Sequence, residues 1–162
     1  MKTRSIVLNK KRLLFNIDSI TYAFSRTIDE NNANASDAVA TDQGEDYVKK
    51  TLERFMDGAI ARLKQTITNY VKGVRDITGS WSSNTDDADF TLELKVIDEF
   101  KDSNLEAIRD SMYRYVVYST VFDWYSTIGS ANANQFAPES RGDIETIKRL
   151  MTDYDIPSIT KS

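Results

Sequence analysis

Asp86, Asp87 and Asp89 place three hard oxygen ligands within four positions, a set that could hold a cation such as calcium. A calcium loop of the EF-hand type also needs ligands at fixed offsets, a central glycine and a terminal bidentate glutamate. No glycine stands in this run, so it reads as a solvated acidic loop. The 162-residue chain has no histidine and no cysteine. That removes Ser-His-Asp and Cys-His catalysis, disulfides and the usual zinc ligand sets. The six glycines, at 44, 58, 73, 79, 129 and 142, are scattered and form no phosphate-binding loop. No spacing singles out a working pair among the 25 acidic residues, as a glycosidase would need. These observations predict no catalytic residues, no cofactor, no metal site and no enzymatic activity.

Two further residue sets suit binding rather than catalysis. Lys50, Arg54, Lys64, Lys72 and Arg75 lie along a predicted helix from residue 47 to 78, a segment with seven basic and three acidic residues. Clustered positive charge of this kind can face phosphates. Its flanks are acidic, however. Residues 29–46 carry six acidic and no basic side chains, residues 79–106 carry eight against two, and the whole chain is −4. The basic set therefore reads as a solvated face balanced by its neighbours, and nucleic acid is not an expected partner. The second set is aromatic: Tyr113, Tyr115, Tyr118, Phe122, Trp124 and Tyr125 cluster in one stretch. Phe122 and Trp124 suit a core, whereas tyrosine also suits an apolar surface that must meet water or a partner. Trp81, in a polar segment, either folds back over the core or joins an interaction surface. Candidate interaction residues are Trp81, Phe90, Leu92, Leu94, Trp124 and Tyr125.

The elements that must position these residues follow from periodicity. Ser5 to Leu8 reads as a strand. Asn9 can cap a helix through about Ile28, with Leu13, Leu14, Ile17, Phe24 and Ile28 on one face; a hairpin with Leu13, Phe15 and Ile17 alternating is the competing reading. Residues 29–46 hold one large apolar side chain, Val39, and read as a mobile acidic loop. Asp42 and Glu45 can cap the next helix, predicted to run to about Thr78 with Gly79 behind it. Its apolar stripe runs from Val48 through Leu52, Met56, Leu63 and Ile67 to Val74. Residues 79–89 form a polar connection, and Phe90 to Val96 alternate as a half-buried strand. That strand needs a partner: the N-terminal run, a nearby hairpin or another subunit.

Asn104 to Ile128 is the predicted central helix, with a Ser103–Glu106 capping box and Gly129 as its C′ residue. Its apolar face swings. Leu105, Ile108, Met112, Tyr115 and Val116 define the first half, and Val117, Val121, Trp124, Tyr125 and Ile128 the second. Asp110 and Arg114 are spaced for an i,i+4 pair, and Asp123 falls where the first face should continue. Residues 130–141 read as a loop or short helical turn. A last helix from about Gly142 to Asp153 presents Ile144, Ile147, Leu150 and Met151, followed by a flexible tail at 156–162. No run reaches the length of a membrane span, so a cytoplasmic protein without a membrane partner is expected.

The order of these elements resembles small structural proteins from the head–tail or tail-assembly gene blocks of tailed phages and prophages. The similar parts are the basic start IVLNKKRLLFNI, the helix YVKKTLERFMDGAIARLKQTITNYV, the strand DFTLELKV, the aromatic helix MYRYVVYSTVFDWYSTI and the last helix DIETIKRLM. The resemblance implies a non-enzymatic head–tail connector or tail-completion protein, working by homo-oligomerisation or by docking on neighbouring virion proteins. A cellular helical adaptor or regulator that binds a protein partner is the alternative. The expected fold is one α+β domain over residues 1–162, predominantly α, with about four helices and a two- or three-stranded sheet.

Overall fold

A computed structural model describes residues 1–28, 45–137 and 142–154. Of the predicted mobile loop at 29–46, residues 29–44 lie outside the described residues, as does the tail at 156–162, whereas Glu45 and Asp46 open the second helix rather than ending a loop. The fold is α+β and predominantly α, with a helical bundle packed on a small antiparallel sheet. Strands β1 (Lys2–Asn9), β2 (Val74–Trp81) and β3 (Asp89–Val96) assemble in the order β1-β3-β2. Helices α1 (Lys10–Ile28), α2 (Glu45–Tyr70), α3 (Leu105–Thr127) and α4 (Asp143–Met151) complete it.

Asn9 ends β1 and caps α1, its side-chain oxygen accepting the Arg12 N–H at 3.0 Å. This satisfies one of the donors a helix start leaves open. Leu13, Ile17 and Thr21 are buried at helical spacing, whereas Phe15 is 69% exposed. A strand would have turned Leu13, Phe15 and Ile17 the same way, so the helix prevails over the hairpin.

The second helix is shorter than its periodicity predicts. It ends at Tyr70, and the residues expected to continue it form β2. Gly73 takes φ +90 and breaks the helix, because a left-handed backbone is open to glycine at little cost. Val74, Ile77 and Thr78 then suit a pleated surface. Gly79, expected behind a helix, sits in β2, paired with Leu92. An added Cβ there would lie 2.5 Å from Phe90 Cε1. Between the Arg75–Lys95 and Thr78–Glu93 pairs the register shifts. Asp76 and Ile77 together oppose Leu94, a bulge that bends the strand.

One face of the sheet is buried by Ile6, Leu8, Phe90, Leu92, Leu94 and Val96. Its other face is solvated and mostly polar, carrying Thr3, Ser5, Glu93, Lys95, Thr78 and Ser80 with Val7 among them. The central α3, about 35 Å long at 1.5 Å per residue, packs against α1, α2, α4 and β1. Both halves of its swinging face are buried: Ile108, Met112, Tyr115 and Val116, then Val117, Val121, Trp124 and Tyr125. Its start is tied to α4 through Asn104 and its last turns meet α1 through Tyr125, whose hydroxyl reaches Thr21 O at 3.4 Å, which reconciles the swing with a continuous helix. Ile128, placed on the second face by the sequence, is instead exposed.

The Ser103–Glu106 capping box does not form. A 3₁₀ turn at Asp102–Asn104 leads into α3, and Asn104 makes no side-chain cap. Its amide instead donates to Leu150 O at 3.2 Å and to Asp153, tying the helix start to α4. Gly129 does act as the C′ residue, with φ +74. Its N–H donates to Ser126 O, and the Ser130 N–H donates to Tyr125 O, the paired bonds that close a helix end around glycine.

Candidate functional site

Of the six candidate interaction residues, five lie in the core. Phe90, Leu92 and Leu94 line the inner face of β3, and Trp124 and Tyr125 are buried on α3. They present no surface to a partner, and β3, paired on both sides, offers no edge. The physical reason is that alternation marks a face to be covered but not what covers it. Here two strands and the helical layer do so within the chain.

Trp81 is half-buried and folded back. Its ring stands edge-on to Phe90, with centroids 5.1 Å apart, a favoured aromatic geometry. Its indole N–H donates to Asp57 Oδ1 at 2.8 Å, and Lys10 Nζ lies 5.3 Å from the ring centre. Lys10, at the β1–α1 junction, is buried and pairs with Glu53 at 3.5 Å. This cluster joins the β2–β3 hairpin to α2 and α1, and its charges answer one another.

The acidic and basic sets are also dispersed. Asp86 accepts from Lys49 at 2.6 Å, and this hydrogen bond holds its carboxyl below the usual range. Asp89 accepts from the Asn9 side chain at 2.9 Å. Among the described residues no group of three or more His, Cys, Asp or Glu could hold a metal ion. The basic set does not share a helix face: Lys50, Arg54 and Lys64 are on α2, but Lys72 and Arg75 follow its end. Those two line an open depression with Thr68, Asn69 and Gly73.

Across the bundle, ion pairs link elements. Asp123 is three-quarters buried and accepts from Arg62 at 3.0 Å, so the unpaired core carboxylate that would be costly is avoided. Burial alone would weaken the Arg62 guanidinium's hold on its proton. The hydrogen bonds to Asp123 and Tyr115 outweigh that effect and leave it above its ordinary value. The predicted Asp110–Arg114 pair is replaced by longer-range ones. Arg12 approaches Asp110 at 3.7 Å, and Arg114 reaches Asp143 on α4 at 3.1 Å. Tertiary partners win because the Arg114 side chain meets the first turn of α4.

Among the described residues Tyr70 and Ile128 are exposed singly, and two larger features are also turned outward. Phe15 and Tyr22, 69% and 63% exposed, stand seven residues apart on one face of α1. The other is the edge of β1, beside the 39% exposed Val7. The Lys10 N–H donates to Ala88 O, continuing the β1–β3 ladder, so the even-numbered residues of β1 bond to β3. The odd ones face away, and two hydrogen bonds agree with this. The Asn9 N–H donates to the Tyr113 hydroxyl at 2.5 Å, and Thr3 O accepts from Arg4 Nη1 at 2.8 Å. Both ends of the edge are thus partly capped, and Ser5 and Val7 lie between the caps. The sequence reading missed both features. The exposed Phe15 could have been found by laying residues 9–28 on a helical wheel; the edge depends on strand order, which no local signal gives. No family model, curated protein or solved structure matches this chain.

Proposed function

We propose that this chain is a non-enzymatic assembly protein that works through protein–protein contacts, self-association among them. The head–tail connector or tail-completion proteins of tailed phages and prophages, which its element order resembles, are the class it fits best. The observation that carries this reading is where polar and apolar groups are placed. Several of its charged side chains pair across elements and hold the fold together, as in Arg62–Asp123, Arg114–Asp143 and Lys10–Glu53. Large aromatic side chains, Phe15 and Tyr22, stand on the outer face of α1. An enzyme concentrates perturbed titratable groups in a cleft. A docking protein instead exposes apolar anchors and backbone edges.

Mass measured by light scattering or sedimentation from micromolar to millimolar concentration tests the proposal. Reversible, concentration-dependent oligomers are expected. A strict monomer across that range removes self-association from the reading.

A further inference from the structure

We infer that β1 is the self-association edge, pairing antiparallel with β1 of a second copy about a two-fold axis that passes between the two Ser5 residues. The inference rests on the assembly reading above and names its surface. Among the described residues both outer strands of the sheet have an unpaired edge, and the two edges differ. β2 is bent by the bulge at Asp76 and Ile77 and directly follows the positive-φ Gly73, both of which discourage strand addition. β1 runs through eight consecutive pairs with β3 without irregularity, a long, regular edge of the kind that templates another strand.

The choice of a second copy follows from the pattern of free groups. Outward-facing backbone belongs to Thr3, Ser5, Val7 and Asn9; the buried Tyr113 holds the Asn9 N–H, whereas the Thr3 carbonyl is held only by an exposed bond from Arg4. Freeing that carbonyl gives the window Thr3, Ser5 and Val7, centred on Ser5. Two antiparallel copies centred there place Ser5 opposite Ser5 and Thr3 opposite Val7. Each such pair exchanges both N–H···O bonds. Arg4 releases the Thr3 carbonyl and keeps its two bonds to Asp102. On the outer face, exposed Thr3 then packs beside Val7 of the other copy, a pair of β-branched side chains suited to cross-strand contact. Residues directly opposite point to the same side, so both helical layers lie on one face of a continuous six-stranded sheet.

The chain has no cysteine, which makes single cysteines clean reporters of register. Opposed residues of a hydrogen-bonded pair have Cα atoms about 5.5 Å apart, within disulfide reach of roughly 4.4–6.8 Å. Ser5→Cys is expected to form a disulfide-linked dimer under mild oxidation. Thr3→Cys and Val7→Cys are expected to cross-link efficiently only when mixed. Ser5→Pro removes an outward N–H and no ladder bond, a change that edge strands tolerate. It is expected to weaken dimerisation about tenfold or more while unfolding stays cooperative. If Ser5→Pro does not fold, the cysteine pattern decides alone. Oligomers that persist in folded Ser5→Pro, or cysteines that cross-link in another pattern, overturn the edge assignment and leave self-association standing. A wild-type monomer at all concentrations overturns both.

Discussion

Replacing Gly73 by alanine tests how the α2–β2 turn is held. Gly73 has φ +90, where an L side chain is strained; the left-handed backbone costs a non-glycine residue about 1–2 kcal/mol. An added Cβ would also lie 2.8 Å from the Tyr154 hydroxyl and 3.3 Å from Ile97 Cγ2. That hydroxyl donates to Lys72 O at 2.6 Å, so Tyr154 can retreat only by giving up the bond, worth about 0.5–1.5 kcal/mol net. The sum is a loss of about 1.5–3.5 kcal/mol. For a chain of this size that corresponds to a fall in Tm of about 3–14 °C. Denaturant unfolding of wild type, Gly73→Ala, Tyr154→Phe and the double variant separates the parts. With phenylalanine at 154 the hydroxyl is gone, and alanine at 73 is expected to cost only the backbone share, a coupling of about 1 kcal/mol. A Gly73→Ala protein within about 0.5 kcal/mol of wild type refutes the strained-turn reasoning. Equal cost in both tyrosine backgrounds refutes the clash.

Three other outcomes follow from the same geometry. Gly79→Ala forces the Phe90 ring away from its 2.5 Å approach and is expected to cost about 1–3 kcal/mol. A change in Trp81 fluorescence should accompany it, since Trp81 stands against that ring. Arg62→Ala leaves Asp123, three-quarters buried, without its cation. Because Arg62 is itself half exposed, the expected loss is only about 0.5–1.5 kcal/mol after allowing for solvent screening. Arg62→Ala/Asp123→Ala should recover part of it in urea melts. Burial pushes the Tyr125 phenol up from 10.0 to about 12. Above pH 10 the unfolded chain therefore releases a proton that the folded chain keeps. Stability is predicted to fall between pH 10 and about 12, and the part due to Tyr125 should vanish in Tyr125→Phe Tm–pH profiles.

Local signals were enough for much of this chain. Asn9 as a cap, the alternation from Phe90 to Val96 and Gly129 as a helix stop all act within a few residues of themselves, so the sequence alone determines them. The lack of histidine and cysteine likewise bounds the chemistry before any fold is known. The reading failed where a residue answers to something distant. Val71 and Val74 continue an apolar helical stripe, yet pairing with β3 takes Val74 into a strand once Gly73 breaks the backbone. Arg114 has an acid one turn away and still pairs with Asp143, because the packing of α4 brings that carboxylate to it. Phe90, Leu92, Leu94, Trp124 and Tyr125 are apolar enough for either a core or an interface. Only strand order and helix packing decide that they are enclosed and that Ser5 and Val7 are left at an edge. Side-chain pattern shows which groups must leave water, but their partners are set by the whole fold.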